Sequence, residues 1–322
     1  MRKRDISIDI LKFFAVLLIT NSHMELLYGK YSYLATGGAI GDTLFFFASG
    51  FTIFLGQDRP FGNYYKRRIN RIYPTVFAWA LLSCVFFAAK SDIVSILLSG
   101  GGWFVSCIMI YYVLLFAVRK LLFNHLRLTL LLFIIVSIGL YWVFKDSDNF
   151  NMYGSTYYKW VHFFIFMLYG SIMGLKAKQG EVIIKNGWYE VLKVAVCVLI
   201  FYLCCAFKYS ENFNYLQTLS LFPLLGVVHY MYRMCNAKGI KSLYSTKSGS
   251  VMKIIGGLCL EVYLVQGRLF TDKLNFLFPL NIVIIFIVIL FVAYCLRCLA
   301  RIWSQTFKES DYDWKEVFKL YN

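Results

Sequence analysis

The chain has 322 residues, of which 60% are hydrophobic by a broad count and only 16% are charged. Ordinary soluble domains carry about a quarter charged residues, and a soluble chain this apolar has no core large enough to hold its side chains. The formal net charge of +16 is divided among short segments between apolar runs, which indicates anionic lipid headgroups rather than nucleic acid as the partner. These features exclude a soluble fold and predict an integral membrane protein in contact with the lipid bilayer.

Apolar runs recur along the whole chain, as in 10–20, 128–143 and 282–296. Crossing the hydrocarbon core takes about 20 mostly apolar residues whose backbone is hydrogen-bonded internally. The runs do not alternate polar and apolar residues as the strands of a membrane barrel do. We therefore expect an all-α bundle of about ten transmembrane helices. The predicted spans are 8–27, 37–56, 73–89, 101–118, 127–145, 159–175, 190–207, 214–232, 251–270 and 278–300.

Basic residues predict the orientation of the bundle. If the N-terminus is cytoplasmic, most of the 33 lysines and arginines fall in segments on the cytoplasmic side. Both termini are therefore predicted to be cytoplasmic. Residues 1–300 are expected to form one multi-span membrane domain, followed by a cytoplasmic tail at 301–322. No metal site is expected, because the nine cysteines lie in or beside spans without metal-type clustering.

The first span carries three ionisable residues, Asp9, Lys12 and His23, and such residues in a span often mark function. Eleven positions separate Lys12 from His23, so the two side chains share a helix face about 16 Å apart. Asp9 lies three residues before Lys12, a spacing that allows an ion pair. The alternative interpretation is that Lys12 extends to the membrane surface and His23 is an interfacial histidine.

A basic cluster stands at the predicted cytoplasmic end of the third span, with Arg67, Arg68 and Arg71 within about one helical turn. Guanidinium groups bind phosphate oxygens in pairs, so this grouping suits a phosphorylated ligand. The alternative is ordinary positive charge on the cytoplasmic side.

Further polar residues lie in or near the spans, and by the predicted topology they occupy both ends of the bundle. Such a layout fits a transporter, or an enzyme whose donor and acceptor approach from opposite faces. These residues are Asp42, His162, His229, Glu261, Gln266 and Arg268.

Several motifs, taken in order, resemble those of the acyltransferase-3 family, bacterial integral-membrane enzymes that acylate sugars. The resemblance covers nearly the whole chain, and ten spans is the usual number in that family. The motifs are Arg4-Asp5 followed by Asp9, Lys12 and His23; Phe46-Phe47-Ala48-Ser49-Gly50-Phe51; Arg67-Arg68-Ile69-Asn70-Arg71-Ile72-Tyr73-Pro74; Gly102-Trp103-Phe104; and Cys259-Leu260-Glu261-Val262-Tyr263-Leu264-Val265-Gln266.

The resemblance implies an acyltransferase, transferring groups other than amino-acyl groups, in a bacterial inner membrane. It implies transfer of an acyl group, most often acetyl, from acyl-CoA to a hydroxyl of a carbohydrate or lipid-linked glycan of the cell envelope. Acyl-CoA would be a donor substrate, with no permanently bound cofactor. The resemblance also implies roles for the motif residues: His23, Lys12 and Asp9 in catalysis; Arg67, Arg68 and Arg71 in acyl-CoA binding; Ser49, Trp103, Glu261 and Gln266 in substrate binding.

Two positions depart from the family pattern. Lys12 stands where many members have Arg, which loses the bidentate guanidinium fork. Gln266 stands where a His is common, and an amide cannot act as a general base. A mechanism that needs two histidines is therefore not expected, and His23 is left as the candidate base or as the site of an acyl-histidine intermediate.

Two other functions fit parts of the sequence. A transporter or flippase for a glycan or glycolipid needs the same two-sided polar layout without acyl transfer. No pair of broken helices is evident in the two halves of the chain, which argues against it. A scaffold for a cell-envelope complex predicts that a change of His23 alone has little effect.

Overall fold

The structure is a computed structural model that describes residues 5–87, 92–144, 151–154, 156–180, 184, 187–210 and 212–321. Within these residues every element of regular structure is a helix, as the sequence predicts. The α-helices are α1 (Ile6–Ser22), α2 (Glu25–Tyr28), α3 (Gly38–Phe54), α4 (Phe61–Phe87), α5 (Ile93–Ser99), α6 (Gly102–Leu121), α7 (Leu126–Phe144), α8 (Lys159–Lys178), α9 (Gly187–Ala206), α10 (Leu221–Cys235), α11 (Lys238–Ser245), α12 (Lys247–Gly257), α13 (Cys259–Leu269), α14 (Leu280–Thr306) and α15 (Trp314–Val317).

In the described part of the chain, 6 helices are long and apolar enough to cross a membrane, or up to 8 if each of two bent helix pairs is one span. The shorter apolar helix α3 has 17 residues and α10 has 15. Each predicted span overlaps a helix or a helix pair. The membrane character is thus supported, whereas a total of ten spans and two cytoplasmic termini stay predictions.

Two of the predicted spans contain a break between helical segments. The helical segments Ile6–Ser22 and Glu25–Leu34 meet at 63°, and Lys247–Gly257 and Cys259–Leu269 meet at 72°. The sequence analysis did not identify either bend; that the two halves hold no parallel or inverted pair of broken helices stays a prediction. Hydropathy did not reveal the bends, because it is averaged over a window of about 19 residues, much longer than either break.

The chain divides into two compact units, the first comprising Met1–Ala15, Ala39–Gln57 and Leu115–Ser250. In this unit α3 and α8 approach closely through glycines. A Cβ atom at Gly50 would overlap the carbonyl oxygen of Met167, and a Cβ atom at Gly170 would overlap that of Phe47. Small residues at such a contact let the backbones of membrane helices meet.

The second unit comprises Val16–Gly38, Asp58–Leu114 and Val251–Asn322. Its helices α4 and α13 both pack against α14. The Asn281 side chain at the start of α14 donates a hydrogen bond of 2.9 Å to the carbonyl of Leu27. This ties the segment that follows the first helix break to α14.

The last part of the chain folds back on α14, which continues to Thr306 within the segment predicted as a tail. Arg301 Nη1 donates a hydrogen bond of 3.1 Å to the carbonyl of Val317, and the Tyr294 hydroxyl donates one of 2.8 Å to that of Phe318. Residues 312–318 therefore pack against the C-terminal part of α14.

Candidate functional site

A cavity of about 370 Å³ lies entirely within the second unit. Its walls combine aromatic side chains, a run of glycines, one histidine and one buried amide. Three residues predicted from the sequence to serve catalysis or substrate binding meet here: His23, Trp103 and Gln266. The lining residues are His23, Trp79, Gly100, Gly101, Gly102, Trp103, Tyr263, Leu264, Gln266, Gly267 and Phe270.

His23 stands in the first helix break, directly after α1, and it is solvent-exposed. Its backbone N–H donates a hydrogen bond of 3.1 Å to the carbonyl of Thr20, so the last turn of α1 fixes the position of the His23 backbone. The chain then turns away, which leaves the imidazole at the cavity rather than inside a continuous helix.

Asn21 stabilises this break through side-chain hydrogen bonds. Its side-chain amide donates hydrogen bonds of 2.9 Å to the carbonyls of both Leu34 and Thr36. Its carbonyl oxygen accepts a hydrogen bond of 2.6 Å from the Tyr28 hydroxyl. Asn21 therefore links the end of α1 to the segment beyond the break, a role that the sequence analysis did not identify.

Gln266 lies on α13, in the second broken pair, and is only 3% exposed. Its side-chain oxygen Oε1 is buried, and no other atom of the described residues makes a hydrogen bond to it. A buried acceptor without a partner carries a free-energy cost of about 1–3 kcal/mol. Gln266 also lines the cavity.

An ion pair fixes the second break. Arg297 of α14 binds the Glu261 carboxylate through Nε–Oε1 at 3.1 Å and Nη2–Oε2 at 2.8 Å. Arg297 Nη2 also donates to the carbonyl of Gly257, the last residue of α12. The guanidinium thus joins both sides of the break to α14 and sets the position of α13, which carries Gln266. Glu261 itself is not among the lining residues.

A glycine turn forms another part of the cavity wall. Gly102 has φ +66°, and a Cβ atom there would lie 2.9 Å from the Tyr263 hydroxyl oxygen. That hydroxyl accepts a hydrogen bond of 3.4 Å from the backbone N–H of Phe104. Only glycine takes this conformation readily and leaves room for the tyrosine. Gly102 therefore brings Trp103 and Tyr263 to the same cavity.

With this geometry established, a comparison with known protein families identifies the chain. The acyltransferase-3 family model, described as "Acyltransferase domain", matches residues 5–298. The chain belongs to this family. None of the curated proteins and none of the solved structures compared with the chain matches it. The resemblance predicted from the sequence motifs is thus confirmed, and the protein is a membrane acyltransferase in the general sense.

The arginine cluster of this acyltransferase lies on α4, in the same unit as the cavity. Arg67 and Arg71 are exposed, whereas Arg68 is half-buried. The Arg68 guanidinium lies over the ring of Tyr64 at 5.5 Å and near that of Tyr112 at 5.7 Å. The Tyr64 hydroxyl donates a hydrogen bond of 3.1 Å to the carbonyl of Tyr112. Two aromatic rings therefore hold Arg68 in a fixed orientation, which the sequence motif does not show.

Helix α4 also carries Trp79, a cavity residue that the sequence analysis did not single out. Trp79 follows Arg68 by eleven residues, about 16 Å of helix, with Pro74 of the same helix between them. A lone tryptophan in an apolar helix resembles any core residue, and only its place in the cavity distinguishes it.

Other predicted site residues of the acyltransferase belong to the first unit. Asp9 is buried and accepts a hydrogen bond of 3.2 Å from the Tyr244 hydroxyl. Lys12 is half-buried, and Ser49 is buried beside the close contact at Gly50. None of the three is among the lining residues of the cavity. The ion pair between Asp9 and Lys12 and the roles of all three stay predictions.

Two further histidines of the first unit lie in polar networks of their own. The hydroxyl of Ser137 is 3.2 Å from His162 Nδ1, and the hydroxyl of Tyr169 is 2.6 Å from His229 Nδ1. Neither histidine lines the cavity. His23 is therefore the one histidine of the described residues that lines this cavity.

Proposed function

We propose that this chain is a membrane-bound O-acyltransferase that moves an acyl group, acetyl in the first instance, from cytoplasmic acyl-CoA to a hydroxyl of a cell-envelope or exported carbohydrate, with His23 as the general base. The observation that carries the proposal is the shared cavity of His23, Trp103 and Gln266 in a member of an acyltransferase family. The remaining steps follow from the chemistry of these groups.

A sugar hydroxyl is a poor nucleophile near neutral pH, so the reaction needs a base at the attacking oxygen. The neutral imidazole of His23 takes the hydroxyl proton while the oxygen attacks the thioester carbonyl. The tetrahedral intermediate then expels the CoA thiolate, which recovers the proton from the imidazolium. The products are an ester of the carbohydrate and free CoA, and no group other than donor and acceptor is consumed.

The cavity suits one sugar unit better than a long segment of glycan. Its volume of about 370 Å³ lies near the lower end of the range of ordinary ligand pockets. Trp79, Trp103 and Phe270 line it with aromatic surface, and aromatic rings offer a flat apolar face together with the indole N–H. A pyranose presents hydroxyls at its edge and C–H groups on its faces, which matches such walls.

The donor site is proposed at the arginine cluster. Arg67, Arg68 and Arg71 would bind the phosphates of acyl-CoA through paired hydrogen bonds. Since α4 carries both Arg68 and, about 16 Å further along the helix, the cavity residue Trp79, the extended pantetheine arm would follow this helix from the phosphates to the cavity. This geometry supports a cytoplasmic donor and an acceptor nearer the opposite side of the membrane.

The cellular setting follows from the same layout. The basic segments support cytoplasmic N- and C-termini, and the family points to a multi-pass protein of the bacterial inner (plasma) membrane. A transporter without acyl transfer is not proposed, although the helices are broken. Both breaks contribute residues to one cavity that holds a candidate base, and the family is one of acyltransferases.

The test uses purified protein in lipid nanodiscs with radiolabelled acetyl-CoA and total cell-envelope glycan, followed by succinyl-CoA as a second donor. Transfer of label to glycan that stops when acyl-CoA is omitted supports the proposal. Glycan movement across proteoliposomes without any acyl-CoA requirement would instead support a transporter. Absence of both transfer and acyl-CoA binding with either donor would overturn the proposal.

A further inference from the structure

The cavity carries no formal charge apart from its titratable histidine. Among the residues that line it in the described part of the chain there is no Asp, Glu, Lys or Arg, and the titratable side chains are those of His23 and Tyr263. A carboxylate entering such a cavity would lose its hydration without gaining a countercharge. A hydroxyl loses much less, because it is uncharged and has fewer water contacts to replace.

The charged residues of α13 are engaged away from the cavity. Glu261 is paired with Arg297 at 2.8 Å. The Arg268 guanidinium is exposed and lies over the ring of Phe87 at 5.7 Å. Neither side chain is among the lining residues, so neither offers its charge to a ligand in the cavity.

Gln266 supplies the polar feature that a neutral ligand needs. Its amide is buried, it lines the cavity, and its Oε1 atom makes no hydrogen bond within the residues that the structure describes. Because Oε1 has less than 1 Å² of accessible surface, a ligand reaches it only when the Gln266 side chain rotates towards the cavity. A ligand that donates a hydrogen bond there pairs the acceptor, and analogues that lack the donor are rejected.

We propose that the cavity selects a neutral sugar ring over an anionic one, and that Gln266 accepts a hydrogen bond from a hydroxyl next to the one that is acylated. This inference rests on the proposed function, because it names the class of acceptor for the same site. It assigns Gln266 to specificity rather than to proton transfer.

The first experiment compares sugars that differ by one carboxylate. Methyl glucuronide is paired with its neutral primary amide, methyl galacturonide with its primary amide, and N-acetylmuramic acid with its primary amide, so that the members of each pair carry the same hydroxyls. Purified protein in nanodiscs with radiolabelled acetyl-CoA is expected to acylate the neutral member of at least one pair with at least tenfold higher kcat/KM. Equal or better transfer to the anionic members overturns the proposal, and so does transfer to whole glycan with none to any of the small sugars.

A binding arm separates this inference from the proposed function. Saturation-transfer NMR of the same pairs reports contact with the protein whether or not turnover occurs. Stronger binding of the neutral members without any acyl transfer would support the neutral site and overturn the acyltransferase proposal. Stronger binding of the anionic members overturns the neutral site whatever the turnover.

Variants of Gln266 test its role directly. Gln266→Leu and the closer match Gln266→Met remove the acceptor atom, and we expect the KM for the neutral sugar to rise about fivefold to tenfold. The KM for acetyl-CoA should stay unchanged. The melting temperature should stay the same or rise, because the variants remove an unpaired buried acceptor, whereas loss of a merely structural contact would lower it. Gln266→Lys places a cation in the cavity and should shift selectivity towards the glucuronide.

Gln179→Leu provides the matched control, because Gln179 is exposed at the end of α8 and lies outside the cavity. It should behave as the unaltered protein in every assay. Unchanged sugar KM in both Gln266→Leu and Gln266→Met, or unchanged selectivity in Gln266→Lys, would contradict the assignment.

Discussion

Arg297 and Glu261 form a two-pronged ion pair, with Nε–Oε1 at 3.1 Å and Nη2–Oε2 at 2.8 Å. The arginine is 8% exposed and the glutamate 7%, so both charges are largely removed from solvent. Because the same guanidinium binds the carbonyl of Gly257, the pair also satisfies the backbone where α12 and α13 separate. Broken membrane helices persist only where such partners replace the lost backbone hydrogen bonds.

Breaking this pair from one side should be strongly destabilising. Glu261→Gln leaves Arg297 as a buried charge without its carboxylate, and we expect the free energy of unfolding to fall by about 3–5 kcal/mol. Denaturant unfolding in detergent micelles measures it. The control is Glu316→Gln, which breaks the exposed pair with Lys319 at 3.4 Å and should change the value by less than about 1 kcal/mol. Similar losses in the two variants would contradict the account.

The glycine contact between α3 and α8 should tolerate no side chain. In Gly50→Ala or Gly170→Ala the new methyl group meets a backbone carbonyl of the facing helix, so the helices must separate and the melting temperature should fall by several degrees or more. Gly139→Ala is the control, since its Cβ atom meets nothing within 4 Å. That variant should be unchanged or slightly more stable, because alanine is the better helix former. Equal melting temperatures for all three variants would argue against close contact.

Gly102 should matter for the acceptor rather than for the donor. Gly102→Ala strains a backbone with φ +66° and pushes against the Tyr263 hydroxyl, so we expect a higher KM for the sugar at unchanged KM for acetyl-CoA. Steady-state kinetics in nanodiscs separate the two values. Gly239→Ala, on α11 with open space around its Cβ atom, should leave both values unchanged. If Gly102→Ala raised only the KM for acetyl-CoA, the glycine turn would belong to the donor site, which would contradict this prediction.

The arginine cluster should determine affinity for the donor. Arg67→Ala and Arg71→Ala each remove an exposed guanidinium from α4, and we expect the Kd for acetyl-CoA to rise about tenfold, less so at high salt. Equilibrium binding of radiolabelled acetyl-CoA measures this. Arg127→Ala, an exposed arginine on α7, is the control for a general loss of positive charge. Equal Kd values for the three variants would exclude the cluster as the donor site.

The sequence predicts the helices well, because apolar runs and the hydrogen-bonding needs of a membrane leave few other structures. It does not predict the breaks. At the second break the sequence signal is the pair Gly256-Gly257 directly before Leu258, whereas no Gly or Pro stands between Ser22 and Glu25 at the first break. Hydropathy averages over such short features, so each bent pair reads as one continuous span.

The site is predicted only in part for a different reason. The order of the family motifs is what identified His23, Trp103 and Gln266 as candidates. No local sequence pattern shows that their three distant segments meet in one cavity. Arg297 reads in the sequence as one more positive charge at a cytoplasmic helix end, whereas the structure pairs it with Glu261. Long-range partners of this kind depend on packing, which composition and periodicity do not encode.

The most direct test of the account is acyl transfer by His23→Ala, measured in a single turnover with radiolabelled acetyl-CoA and cell-envelope glycan. The control is His125→Ala, which removes an exposed histidine outside the cavity. We expect His23→Ala to bind acetyl-CoA and melt like the unaltered protein while transferring at least 100-fold more slowly, the loss typical of a missing general base at about 10²–10⁴-fold. His125→Ala should transfer normally. A folded His23→Ala protein that transfers acetyl at the rate of His125→Ala would contradict the central claim.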